Sequence, residues 1–175
     1  QSPTAVTMVL SGVMVKMGLL PLFDGIFKQE ATLAWNDTGR FENRWITLQT
    51  PENNCCVWTR NIEKIELPVR HGEGKFIPGD DAVLQRLQDK GQIAFRYVRP
   101  DGSPAKGEFP FNPNGAVDDI AGVCDPSGRI FGLMPHPEGF LDRVNHPDWT
   151  RITLPEEGAG LQVFRNAVEF ARNEL

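Results

Sequence analysis

Prolines and glycines recur along this sequence so regularly that few stretches could carry a helix of more than a few turns. The 14 prolines and 17 glycines separate short apolar runs. Short elements joined by turns fit a mixed α/β protein better than a helical bundle, and a coiled coil is excluded. The first apolar stretch, residues 6–20, is hydrophobic almost all round and stops at Gly18-Leu19-Leu20-Pro21, which predicts a helix buried against a sheet. β-like runs follow at residues 31–35, 41–48, 56–58 and 62–69, joined by polar turns such as Asn36-Asp37-Thr38-Gly39 and Pro51-Glu52-Asn53-Asn54. Residues 81–89 read as a helix with Val83, Leu84 and Leu87 inward and Gly91 beyond its end. Residues 93–98 and 120–124 read as strands, and residues 129–134 pair with the latter through Asp125-Pro126-Ser127-Gly128. From Gly160 onward, Leu161, Phe164, Val168 and Ala171 recur at helical spacing, predicting an amphipathic closing helix that turns these residues inward.

With 175 residues, 40% hydrophobic and 23% charged, the expectation is one domain, residues 1–175, around one core. The net charge is −5 and no run of Lys or Arg exists to follow a phosphate backbone, so nucleic acid is not an expected partner. Residues 6–20 are broken by Ser11, Gly12, Lys16 and Gly18 and are too short for a bilayer core of about 30 Å, so no membrane is expected either. No basic segment precedes them and no small-residue cleavage site follows, which argues against a signal peptide and for a cytoplasmic protein. The cysteines, Cys55, Cys56 and Cys124, have no metal-ligand spacing, and the expectation is inert core thiols in a reducing compartment. His71, His136 and His146 lack zinc-like spacing with them, and no glycine-rich phosphate loop opens a helix, so no metal and no nucleotide or flavin cofactor is expected.

Chemistry concentrates in two strings. In Met134-Pro135-His136-Pro137-Glu138, prolines on both sides of His136 stiffen the backbone, so the imidazole and the carboxylate are held on a rigid loop. Such a pair suits a general base and its orienting carboxylate, serving a nucleophile from elsewhere. A rigid surface turn is the plainer reading of those residues by themselves. In Leu67-Pro68-Val69-Arg70-His71-Gly72-Glu73-Gly74 an apolar strand runs into two ionisable groups flanked by glycines, which suits a loop lining a pocket or a polar hairpin turn. A third string, Phe109-Pro110-Phe111-Asn112-Pro113-Asn114-Gly115, reads as an irregular, ordered loop with a structural role. Trp35, Trp45, Trp58 and Trp149 are not interleaved with basic residues, so packing is expected for most of them rather than base stacking.

Taken in order, these strings and Trp35-Asn36-Asp37-Thr38-Gly39-Arg40-Phe41-Glu42-Asn43-Arg44-Trp45 resemble the glutaminase component of phosphoribosylformylglycinamidine synthase, a class I glutamine amidotransferase. The resemblance runs from about Val13 to the C-terminus. It implies an α/β, flavodoxin-like doubly wound fold and a Cys-His-Glu triad that attacks the side-chain amide of glutamine through a γ-glutamyl thioester. The ammonia released would feed a synthetase subunit in the ATP-dependent amidination step of purine biosynthesis. His136 and Glu138 match the family's His and Glu, and His71, Gly72 and Glu73 would border the glutamine pocket.

The chain departs from the family where the nucleophile belongs. There the family reads roughly Gly-Val-Cys-Asn-Gly-Phe-Gln, and this chain has Thr7-Met8-Val9-Leu10-Ser11-Gly12. The resemblance thus covers the last two thirds of the family domain, without its N-terminal strands, and the chain as written is expected to be catalytically incompetent. The alternative is a non-catalytic, degenerate module that docks on a synthetase. A third reading is a mainly antiparallel unit that shares only the loops.

Overall fold

The strand-forming runs and their turns assemble into one six-stranded sheet and one two-stranded ribbon. The computed structural model describes residues 7–8, 11–23 and 27–174. The strands are β1 (Thr7–Met8), β2 (Ala31–Ala34), β3 (Glu42–Gln49), β4 (Lys64–His71), β5 (Lys75–Pro78), β6 (Ile93–Val98), β7 (Ile120–Cys124) and β8 (Ile130–Leu133). The helices are α1 (Ser11–Lys16), α2 (Asp81–Asp89) and α3 (Gly160–Asn173). The main sheet has the order β1-β8-β7-β6-β3-β4, and β2 pairs with β5. β1 and β8 are parallel, and the other described pairings are antiparallel.

β7 and β8 are buried along their whole length, so both faces of the sheet are covered there. Val15 of α1, Leu33 of β2 and Phe76 of β5 approach one face, around a narrow void beside Gly122 and Gly132. On the other face Phe131 meets the rings of Trp58 and Phe95. Tyr97, Phe95, Phe131, Leu48, Leu67 and Leu87 are among the largest fully buried side chains, and they place the centre of the core around β6.

The predicted α2 stands at the expected residues: Asp80 caps it by accepting from Val83 N–H at 2.8 Å, and Gly91 follows at φ 65°. Three expectations are corrected. The helix expected over residues 6–20 is reduced to α1, because Thr7 and Met8 pair with Ile130 and Phe131 as an edge strand; residues 6, 9 and 10 lie outside the described residues. The strand expected at residues 56–58 is a buried 3-10 turn, Val57–Thr59, held by Val57 N–H on Gly128 O and by Trp58 Nε1–H on Arg129 O. β5, which follows Gly74, was not expected from the sequence; its backbone pairs with β2 from Ala31–Pro78 to Ala34–Lys75.

The third correction concerns the register of α3. Val168 is 49% exposed and Ala171 is exposed, whereas Gly160, Val163, Asn166, Ala167 and Phe170 face inward. Two residues that hydropathy ranks poorly set this face. Gly160 lies against the Pro137 and Phe140 carbonyls and donates to the latter. The buried Asn166 donates from Nδ2 to Trp58 O at 2.9 Å and to Arg60 O at 2.7 Å, tying the helix to the 3-10 turn. Asn166→Leu should therefore lower stability by about 2–3 kcal/mol despite its greater hydrophobicity, since it removes the donor for two carbonyls. Urea unfolding of the variant against the parent measures this.

Candidate active site

His136 stands where β8 has ended and the chain crosses to β4. Met134 N–H bonds to Ala121 O at 3.0 Å, and His136 N–H reaches Pro68 O of β4 at 2.8 Å. A 3-10 turn, Pro137–Gly139, follows, with Gly139 N–H on His136 O and Phe140 N–H on Pro137 O, both at 3.0 Å. Phe140 then packs edge-on against Trp45 of β3, with ring centroids 5.0 Å apart. The predicted rigidity thus comes from both prolines and from a backbone bond to β4.

On that loop His136 Nδ1 and Glu138 Oε1 are 2.5 Å apart. An ionised carboxylate only accepts, so Nδ1 carries the hydrogen and the lone pair of a neutral imidazole is on Nε2. The side chains are 31% and 54% exposed, so a reactant can approach the dyad. This is the arrangement of a base whose tautomer is set by a carboxylate.

His71 ends β4 and is treated quite differently. Its ring is buried, with Nδ1 3.0 Å from Asn36 Oδ1. The same oxygen accepts from Gly74 N–H at 3.1 Å, while Asn36 Nδ2 donates to His71 O and to Arg40 O, each at 2.8 Å. The two donations by Nδ2 fix the orientation of the amide, so His71 must donate from Nδ1. Its Nε2 is then the acceptor facing Asn114 Nδ2 at 3.5 Å, and that nitrogen also donates to Tyr97 Oη at 3.0 Å. The His71 pKa is lowered to about 4, chiefly by burial and to a lesser extent by the nearby His136, against the opposing pull of its own backbone and Glu42. Glu42 is itself a buried carboxylate, held by Arg44 at 2.7 Å and by the Thr38 hydroxyl at 3.0 Å.

The expected pocket residues are thus divided. Glu73 lines an open cavity of about 310 Å³ together with Gly12, Val13 and Lys16 of the first helix and Gln29, Thr32 and Leu33 of the second strand region. Gly72 lies beside the exposed ring of Trp35. His71 sits behind the turn and fixes it from the core side. Sequence reasoning did not single out Asn36, Asn114 and Tyr97 as parts of this arrangement. The two asparagines lie within strings that were read, but nothing local announces that they share a histidine.

The charge state of His71 has a thermodynamic consequence. Native His71 stays neutral down to about pH 4 while the unfolded chain takes up a proton below about 6.5. Its contribution is therefore complete above pH 6.5 and is lost as the pH falls from 6.5 towards 4, by up to about 3 kcal/mol. Urea unfolding across this range should show His71→Asn with a shallower acid slope than the parent, by about one proton.

Comparison with known proteins adds to this geometry. Residues 12–171 match the family model described as a CobB/CobQ-like glutamine amidotransferase domain. The subunit PurQ of phosphoribosylformylglycinamidine synthase from Dehalococcoides mccartyi is 45% identical over 161 residues, covering 91% of this chain and 60% of that protein. PurQ of Treponema denticola is 44% identical over 168 residues, covering 85% and 62%. The solved structure of PurLQS from Thermotoga maritima superposes with a TM-score of 0.64 at 27% identity, covering 94% of this chain and 61% of that one. The α/β fold is accordingly that of the class I glutamine amidotransferases. The chain spans about 60% of the length of these curated relatives.

Proposed function

Because the chain belongs to the CobB/CobQ-like glutamine amidotransferase family, we propose that it is the larger part of a glutaminase component of phosphoribosylformylglycinamidine synthase. In this reading it helps hydrolyse glutamine in the cytoplasm and passes the ammonia to a synthetase subunit for the ATP-dependent amidination step of purine biosynthesis. The observation that carries the reading is the His136–Glu138 pair on its braced loop. His136 Nε2 takes the proton of a cysteine thiol as the sulfur attacks the side-chain amide carbon of glutamine. The imidazolium, steadied by Glu138, then gives that proton to the departing nitrogen, and ammonia leaves a γ-glutamyl thioester. Water, deprotonated by the same imidazole, releases glutamate. Glu73 and Lys16 line one cavity with opposite charges, which suits the α-ammonium and α-carboxylate of an amino acid. In a full-length subunit containing these residues, His136→Asn should lower kcat for ammonia release by about 10⁴–10⁶ and Glu138→Gln by about 10⁴. An unchanged kcat in either variant would refute the assignment.

The three cysteines of this stretch do not supply that thiol in our reading. Cys124 is paired with Phe131, at the opposite end of β8 from the His136 loop, and Cys55 lies beside Cys124. The stretch therefore contributes the base, its carboxylate and part of the binding cavity, and by itself does not turn over glutamine. A diazo-ketone analogue of glutamine should place no glutamine-protectable label on Cys55, Cys56 or Cys124, as read by peptide mapping. Protectable, stoichiometric labelling of any of them would sink the claim.

A further inference from the structure

Cys55 and Cys124 are far apart in sequence, yet their Sγ atoms are 3.7 Å apart. The neighbouring Cys56 is buried and acts on the Cys124 thiol as well. The backbone holds this meeting point firmly. Cys55 N–H bonds to Gly91 O at 2.8 Å and Cys124 N–H to the adjacent Gln92 O at 2.9 Å, so both cysteines hang from consecutive carbonyls. Val57 N–H bonds to Gly128 O at 3.0 Å, and Cys56 N–H to Asn54 Oδ1 at 2.7 Å. The segment also lies in two notches that only glycine leaves open. A Cβ on Gly91 would come within 2.0 Å of Asn53 O, and one on Gly128 within 2.1 Å of Cys55 O.

Two consequences follow for the thiols. Their separation is set by a pinned backbone, and a disulfide bond of about 2.05 Å requires the sulfurs to close by roughly 1.7 Å, a distance within the range of side-chain rotation. Their surroundings are also unequal, since Cys55 is exposed whereas Cys56 and Cys124 are buried. One thiol can meet a reagent from solution, and a second waits behind it. The hydrogen bond with Cys124 holds the Cys55 thiol below its ordinary pKa, while the neighbouring Cys55 and Cys56 thiols, together with burial, hold Cys124 well above its own.

We propose that Cys55 and Cys124 form a redox-active dithiol, which a low-molecular-weight disulfide converts to an intramolecular disulfide, with Cys55 attacking and Cys124 resolving. Cys55 releases its proton to solvent, and its thiolate attacks one sulfur of the reagent RSSR. The reagent's S–S bond breaks, giving Cys55–S–S–R and RS⁻, which takes up a proton. Cys124 then loses its proton and attacks Cys55 Sγ, and the second RS⁻ leaves and is protonated. The protein loses two electrons and two protons, and one RSSR becomes two RSH. The site uses none of the residues assigned to glutamine chemistry, so it stands or falls independently of that reading.

The test equilibrates the reduced, folded chain with oxidised and reduced glutathione in rising ratio, followed by acid quenching, alkylation and non-reducing peptide mapping. The parent should give a Cys55–Cys124 linked peptide with no retained glutathione and with Cys56 alkylated, and Cys56→Ser should behave in the same way. Cys124→Ser should stop at a mixed disulfide on Cys55, and Cys55→Ser should lose the linked peptide altogether. Should Cys124→Ser fail to fold, the parent and the other two variants still decide the matter. The proposal is overturned if the parent retains glutathione on Cys55 while Cys124 is alkylated. It is equally overturned if Cys56 is the partner of Cys124, or if both thiols stay reduced where an unstructured dithiol peptide is oxidised.

Discussion

One primary amide, that of Asn36, decides how the chain is arranged around its candidate site. All four of its hydrogen-bonding positions are used, with two donations to His71 O and Arg40 O and two acceptances from His71 Nδ1–H and Gly74 N–H. Its own backbone N–H bonds to Gly72 O at 2.9 Å as well. An aspartate there would lack the donors, and a serine would lack the reach. The amide therefore fixes both the path of residues 71–74 and the tautomer of the buried imidazole. From His71 the network continues through Asn114 to the fully buried Tyr97, whose phenol burial keeps protonated, so the turn carrying Glu73 is anchored in the core.

The sheet beneath supplies the stiffness that this network needs. β7 and β8 are buried on both faces, and β6 nearly so, hence neither strand end can shift without repacking rings such as Phe95 and Phe131. The two loops of the candidate site leave this sheet at different strands, the His71 turn from β4 and the His136 loop from β8. They come together because the backbone after β8 crosses to β4 and bonds there. The parallel contact of β1 with β8 is the described point at which the sheet takes on the parallel pairing expected of a doubly wound fold, and antiparallel strands continue on the other side.

Much of this could be read in the sequence wherever the signal is local. The Asp80 cap and Gly91 bracket α2, and the Asp125–Gly128 turn joins β7 to β8, because capping and turn chemistry act over a few residues. His136 and Glu138 were legible for the same reason, being two residues apart on a proline-stiffened loop. What failed depended on distant partners. The face of α3 was misjudged because Asn166 is buried only by virtue of the Trp58 and Arg60 carbonyls, and residues 56–58 form a turn because helix and β-turn close over them. The contact between Cys55 and Cys124 likewise joins residues 69 positions apart, and no periodicity reports such a meeting. Of the four tryptophans, Trp58 is buried and Trp45 packs on the core, as expected for packing residues, while Trp35 and Trp149 are largely exposed.

The bond from His136 N–H to Pro68 O also bears on how the molecule keeps to itself. β4 is the outer strand of the main sheet, and an outer strand offers unpaired backbone groups to any extended chain that drifts past. Pro68 has no N–H to offer, and its carbonyl is already taken by the loop that holds the dyad. The same few residues thus position the proposed base and blunt a sheet edge. A substitution that loosened this loop would free the Pro68 carbonyl at the sheet edge as well as move the imidazole. Placement of the His136 imidazole and protection of this edge therefore rest on one backbone bond.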